Sequence, residues 1–306
     1  MDVPNGVAAS AVSTDPLSLM ARRVLILANP RSGSGKSRRL VEALSGALRA
    51  RGMVPQTCWE REELSAWIAR GVDDLRCVVA AGGDGTVQEV VNRAPGVPTA
   101  VLPLGNENLV ARYCGYSRSP QPLAEAIAMG QVRQLDLAKA GGRRFCVMAG
   151  AGFDAEVVHR VHRRRRGHVT KFAYVFPVLQ ALTLYPAPPI QVEIPETGEQ
   201  LRGALAFVFN LPPYALNLPL AADARPDDGR LDLYLFARHG PLRIARYVTA
   251  ILRGRQHLLA DYQHRVVQSV RLTSEGTVPL QIDGDPAGKL PVTVEVVPAA
   301  LRMIVA

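Results

Sequence analysis

The sequence lacks any uncharged apolar run approaching the roughly 18 residues that a membrane-spanning helix requires. Cysteine is scarce: Cys58, Cys77, Cys114 and Cys146 are the only four, scattered without the paired spacing of a metal site. The opening stretch, MDVPNGVAASAVSTDPLSLM, has two aspartates and no basic residue, which does not fit a secretory signal. It reads as a tail over residues 1–21, ahead of a fold that begins at about Arg22. Without such a signal the thiols are expected to stay reduced and the chain to be cytoplasmic. Internal repeats are absent, and so is any low-complexity tract beyond the tail.

What is present suits a globular chain of more than one domain. The 306 residues are 48% hydrophobic and 21% charged, too long for one ordinary domain and too apolar for wholesale disorder. Lysine and arginine (36) exceed aspartate and glutamate (27), a formal charge of +9 that favours acidic partners such as nucleic acid, anionic lipid or phosphorylated molecules. The densest basic run is His159–Arg166, for which a solvated helix face is the plain alternative.

From Arg23 to about Met129 the pattern alternates strand and helix. Val24–Ala28, Met53–Cys58, Leu75–Ala80 and Thr99–Leu102 read as strands, and Lys36–Ala50, Glu62–Arg70 and Thr86–Asn92 as helices. Continuous apolar strands between helices predict a parallel sheet covered on both faces, with ligands beyond the strands' carboxyl ends. After about Leu135 the texture becomes antiparallel. Phe145–Met148, Ile190–Ile194, Ala204–Phe209, Leu231–Phe236, Val266–Leu272, Val278–Ile282 and Val292–Val297 read as strands. Helical stretches at Asp154–Arg164, Lys171–Leu184 and Leu242–Leu252 interrupt them. The expected fold class is therefore an N-terminal parallel α/β domain followed by a β-sandwich-like domain, with a cleft between them.

Two loops carry the chemistry. Asn29–Ser37 ends in Gly-Lys-Ser, yet Pro30 stands where a Walker A loop needs its first glycine, and proline has no N–H for a phosphate. Another phosphate loop, or an ordinary strand–helix turn, remains open for this segment. Ala81-Gly82-Gly83-Asp84-Gly85-Thr86 is more specific. Successive glycines admit close approach of a phosphate, and a helix start at Gly85-Thr86 favours anions. A tight turn capped by Asp84 is the alternative.

Asn-Pro-x-Ser-Gly at 29–33, followed about fifty residues on by Gly-Gly-Asp-Gly-Thr at 82–86, resembles the lipid kinases of the diacylglycerol and sphingosine kinase superfamily. Pro103–Arg112, Gly150–Ala155, Asp227–Asp232 and Asp283-Gly284-Asp285 are similar to further motifs of that family, in the same order. The resemblance implies an ATP-dependent lipid kinase of phospholipid metabolism. Its nucleotide-binding domain would be residues 22–135 with about 298–306, and its lipid-binding domain residues 136–297. ATP would be held by Asn29, Pro30, Arg31, Ser32, Gly33, Gly82, Gly83, Asp84, Gly85, Thr86, Val87, Gln88, Asn106 and Asn108. Asp84 would stand near the Mg²⁺-bound phosphates, and Asp283 or Asp285 would take the proton of the acceptor hydroxyl. Alone, Asp283-Gly284-Asp285 is simply a hairpin signal.

The chain departs from the family at four places. Asn106 stands for a threonine and Leu109 for an aspartate, which removes one carboxylate. Asp285 stands for a glutamate and reaches roughly 1.5 Å less far. A structural Mg²⁺ of bacterial members would map to Asp228 and the Arg230 backbone carbonyl, but the third ligand position is Arg225, which cannot ligate a cation. A basic and aromatic segment, 159–176, would suit peripheral contact with the inner face of an anionic membrane. Nucleic acid is not an expected partner, since no reader motif accompanies the charge. A NAD kinase-like enzyme, which shares Gly-Gly-Asp-Gly-Thr, and a catalytically silent nucleotide- or lipid-binding homologue are the rivals.

Overall fold

The computed structural model describes residues 21–30, 37–164, 175–212 and 219–305. Residues 1–20 of the expected tail, Arg31–Gly33 of the first loop and 165–174 of the basic segment fall outside these; Ala21, expected in the tail, is buried.

Strands β1 (Arg23–Ala28), β2 (Val54–Cys58), β3 (Leu75–Gly82) and β4 (Thr99–Pro103) pair in parallel in the order β2-β1-β3-β4. β3 and β4 are buried along their whole length, as their unbroken apolar sequences require. Helix α1 (Ser37–Arg49) turns Val41, Leu44 and Leu48 onto this core, a spacing of three and four that keeps them on one face. Helices α2 (Arg61–Ala69), α3 (Asp84–Arg93), α4 (Leu109–Tyr113) and α5 (Pro120–Met129) complete the domain.

Next in the chain come β5 (Val132–Ala140), β6 (Arg143–Phe145), β7 (Met148–Gly152), α6 (Phe153–Arg164) and α7 (Val175–Leu184). They lead to β8 (Ile190–Ile194), β9 (Glu199–Gly203), β10 (Leu205–Phe209), β11 (Leu231–Phe236) and α8 (Pro241–Leu252). The chain ends with β12 (Tyr262–Val267), β13 (Ser269–Thr273), β14 (Pro279–Ile282), β15 (Asp285–Lys289) and the long β16 (Val292–Ile304). An antiparallel sheet of order β12-β11-β10-β7-β14-β15 faces the β16-β13-β8-β9 part of the first sheet. Between them lies a dry core that includes Ala149, Val208, Leu233, Leu235, Val270, Leu280 and Val294.

β16 ties the two halves together. Its first residues pair with β13, its length runs antiparallel to β5, and Met303 lies beside Thr99 of β4. β5 therefore sits in the sheet shared by both halves and runs across the boundary expected at residue 135.

Two stretches expected as single strands are each divided between the sheets. At 143–152 the chain leaves the first sheet after Phe145 and enters the second at Met148. At 262–273 it does the reverse across Gln268, whose N–H is taken by Glu196 Oε1 at 2.9 Å and whose carbonyl accepts from Val296. Apolar residues run on through the first crossing, Phe145 to Met148, so the pattern there carries no mark of the break; the second is marked only by the polar pair Gln268-Ser269.

Candidate active site

The loops after β1, β3 and β4 meet at the carboxyl edge of the parallel strands. Asn29 N–H donates to Ala81 carbonyl and Leu104 N–H to Gly82 carbonyl. The backbones touch so closely that a Cβ on Gly105 would lie 2.6 Å from Gly83 Cα. Glycine at both places is a packing requirement as well as an opening for a ligand. A Cβ on Gly82 would strike Thr86 Oγ1 at 2.0 Å. Here α3 begins: the Thr86 and Val87 N–H groups donate to the Gly83 carbonyl at 2.9 and 3.2 Å, and the helix dipole makes this end positive.

Asp84 is the first residue of α3. Its Oδ1 accepts the Val110 N–H at 3.2 Å, so one carboxylate joins the two glycine loops. Burial pushes its pKa up, against the pull of N–H groups from Leu109, Val110 and its own backbone.

Asn106 lies exposed on the loop before α4. Asn108 is left-handed (φ 47°) and its carboxamide is spent on Gly105, accepting that residue's N–H at 2.9 Å and donating to its carbonyl at 2.8 Å. Val87 lies in the hydrophobic core. The Asn108 and Val87 side chains are therefore spent on shaping the loops.

The acidic turn arrives from the other domain. Asp283 and Gly284 both have positive φ, 49° and 81°, as the tight turn between β14 and β15 demands. The segment is thus a hairpin turn and part of the site at once. Asp283 accepts three backbone N–H groups: Cys146 on Oδ2 at 3.0 Å, and Val147 (3.0 Å) and Met148 (2.9 Å) on Oδ1. Those donors lie at the break between β6 and β7, where the chain has left one sheet and just enters the next. Burial raises the Asp283 carboxyl to about 6, opposed by these bonds and assisted by the charge of Asp84. A second brace comes from below. Asp154 accepts from Gln281 Nε2 at 2.9 Å, and Gln281 Oε1 accepts the Gly284 N–H at 2.9 Å.

Asp285 faces the start of α3, its Oδ2 3.9 Å from where a Cβ on Gly85 would be. The Arg143 guanidinium stands 3.7 Å from the same oxygen and donates to Gln88 Oε1. The two carboxylates are therefore unlike: Asp285 has a cation beside it, and Asp283 has only neutral donors and a neighbouring acid.

Asp84, Gly85, Asp283 and Asp285 converge, as the sequence motifs anticipate. Arg143 and Asn92 are not among the expected residues. Asn92 grips the backbone of Arg144 with both amide atoms at 2.9 Å, four residues along the helix from Gln88. The spacing of Gln88 and Asn92 on one face of α3 is their only local signal; nothing near Arg143 announces it.

The turn at 227–230 does not fit a metal ion. Asp228 Oδ1 accepts the Arg230 N–H at 2.9 Å, Arg133 pairs with Asp227 at 2.7 Å, and Arg225 stands where a ligand is needed. Asp136 braces the turn instead through the Gly229 N–H at 2.7 Å. Among the described residues no set of three His, Cys, Asp or Glu side chains is placed to hold a metal. The expected pair of Asp228 and the Arg230 carbonyl thus has no third side-chain ligand at Arg225.

Comparison with known proteins finds two family matches in succession along the chain. Residues 23–140 match the family model described as the diacylglycerol kinase catalytic domain, and residues 147–305 that of the YegS C-terminal NAD kinase beta sandwich-like domain. A diacylglycerol kinase of Bacillus subtilis (strain 168) is 30% identical over 226 residues, covering 70% of this chain and 72% of that protein. One from Mycobacterium tuberculosis (strain ATCC 25618 / H37Rv) is 27% identical over 297 residues, covering 92% and 94%. A solved diacylglycerol kinase structure from Bacillus anthracis str. Sterne superimposes with a TM-score of 0.68 at 18% identity, over 94% of this chain and 97% of that one, a likeness of fold.

Proposed function

The chain belongs to the diacylglycerol kinase family, and from that premise we propose that it transfers the γ-phosphate of ATP to the hydroxyl of a diacylglycerol-like lipid. The observation that carries the reading is the position of Asp283. A carboxylate from the second domain, poised at about 6, stands beside Asp84 at the anion-binding start of α3.

The chemistry follows from that placement. The ATP phosphates lie against the backbone N–H groups of the 82–86 loop and α3, with Asn29 and Pro30 beside them. Phosphoryl transfer asks a protein mainly for alignment and charge stabilisation. Asp283 takes the proton of the acceptor hydroxyl as its oxygen attacks the γ-phosphorus, and ADP departs with the bond electrons. Asp285, with the Arg143 guanidinium 3.7 Å away, orients the acceptor. Asp84 would hold a Mg²⁺ ion brought with ATP, which supplies charge neutralisation on the phosphates. Leu109 offers no second carboxylate, so Asp84 bears that duty alone.

No helix among the described residues is long and apolar enough to cross a membrane, so the lipid is reached from its surface. The decisive experiment offers labelled ATP and Mg²⁺ to vesicles containing diacylglycerol, sphingosine and phosphatidylglycerol. NAD is offered separately, because the C-terminal domain matches a NAD kinase-like sandwich. Label in the organic phase supports the lipid kinase and its product names the acceptor. Label on NAD transfers the reading to a dinucleotide kinase. ATP binding without transfer to any acceptor identifies a silent homologue.

A further inference from the structure

Helix α8 turns an apolar face to the solvent. Its inner side is conventional: Tyr247 and Ile251 are buried, and Tyr247 donates to Asp261 at 2.8 Å. Its outer side carries Leu242, Ala245, Thr249 and Leu252, spaced by three, four and three residues and so aligned in one stripe. Leu242 is 87% exposed and Leu252 62%; Leu258, just beyond the helix, is 68% exposed. A helix covering a water-soluble protein ordinarily reserves that outer face for charge.

The charge that is present has one sign. From Pro241 to Leu258 there is no acidic residue, while Arg246, Arg253 and Arg255 are exposed and no ion pair engages their side chains among the described residues. The stripe also continues sideways. His239, two residues before α8, packs its ring against Phe153 and against Tyr185, which directly follows α7. Leu184 at that end of α7 is exposed, as are Phe176 and Leu179. Single exposed leucines need no explanation, but a continuous stripe flanked only by arginine does.

We infer that α8 is a membrane-docking helix that lies flat on an anionic phospholipid bilayer. Leu242, Leu252 and Leu258 enter the headgroup boundary, and Arg246, Arg253 and Arg255 contact lipid phosphates. The occupant is a bilayer because the exposed apolar residues of α8 and the neighbouring α7 are accompanied by arginine, with no acidic residue from Pro241 to Leu258. This deepens the lipid-acceptor reading, and the test lets the two fail separately.

The full chain is sedimented with vesicles of phosphatidylglycerol and phosphatidylcholine, and with phosphatidylcholine alone, in the absence of ATP. Binding to the anionic vesicles is expected. Leu242→Asp with Leu252→Asp should reduce partitioning about tenfold or more. Arg246→Glu with Arg253→Glu should do likewise at low salt, with the difference fading at high ionic strength. All these side chains are exposed, so unfolding temperatures should match the parent. A Leu252→Trp chain supplies a second readout, quenching of the introduced indole by brominated lipid. Docking is overturned when the parent ignores anionic vesicles, when the leucine variants bind as the parent does, or when the introduced indole escapes quenching. A variant that converts a dimer to a monomer without changing vesicle binding also overturns it, and assigns the face to a second copy. Transfer to acceptor dispersed in detergent micelles should persist in the variants; its absence in the parent instead removes the lipid kinase reading.

Discussion

Replacing Asp283 by asparagine separates what this side chain does for turnover from what it does to stability. The carboxyl titrates at about 6 in the fold, against an ordinary 3.8. The folded protein thus holds this proton more tightly than the unfolded chain. Its contribution to stability is complete below about 3.8 and is lost as pH rises through about 6. The full loss is about 3 kcal/mol, of which about 1.4 kcal/mol falls between pH 5 and pH 8. Asparagine keeps an oxygen for Val147 and Met148 but turns an NH₂ toward the Cys146 N–H, at a cost of about 1–3 kcal/mol. The two effects nearly offset one another at pH 8.

Asp283→Asn should therefore unfold within about 2 kcal/mol of the parent at pH 8, and its stability should lack this group's share of the fall between pH 5 and pH 8. Turnover should drop by about 10²–10⁴, the usual worth of a general base. In the parent, kcat/KM for the acceptor should fall tenfold per pH unit below about 6, as the base becomes protonated. The assays are urea unfolding at the two pH values and a pH–rate profile. Near-parental activity in the variant, or a parental rate flat down to pH 4.5, would remove Asp283 from the proton-transfer step.

Asp84→Ala should abolish turnover while costing only about 1 kcal/mol of stability, from the Val110 N–H left without its acceptor; measurable transfer by the folded variant would displace Asp84 from the phosphate site. Gly105→Ala drives a methyl group into Gly83, so titration calorimetry should find ATP binding lost along with about 1–3 kcal/mol of stability. Asn92→Ala removes two bonds to the Arg144 backbone and should lower stability by about 1–3 kcal/mol. At temperatures where that variant is folded, kcat should fall and KM for ATP should hold; the reverse split would mean that the clamp serves the nucleotide alone.

Where the backbone itself needs a residue type, the sequence was readable. The 82–86 glycines are fixed by the contacts with Thr86 and Gly105, and Asp283-Gly284 by two positive φ angles, so both motifs stand out in one dimension. Buried parallel strands announce themselves by unbroken apolar runs. The same property hides the strand break at 146–147, because the residues on both sides of that sheet crossing remain apolar, and the break at 268 leaves only the short polar pair Gln268-Ser269. Arg143 was equally hidden. Its partners Gln88 and Asp285 are 55 and 142 positions away, and nothing local distinguishes it from other surface arginines. Helix α8 was legible as a helix, but which face the fold would cover depended on Phe236 of β11, whose ring packs against Tyr247.

Those unreadable contacts are the ones that join the two halves of the site. Along one face, α3 grips β6 through Gln88 and Asn92. β6 ends at Phe145, and the next three N–H groups hold Asp283. Helix α3 and the Asp283 carboxylate of the opposite domain are thus connected by one short run, residues 143–148, tied at both ends. A cleft that relied on the two cores alone would let the domains rock, and a shift of about 1 Å between base and phosphorus costs about a hundredfold. The run leaves one sheet and enters another because its amides are needed at Asp283, so the irregularity in the strand pattern is what makes the alignment.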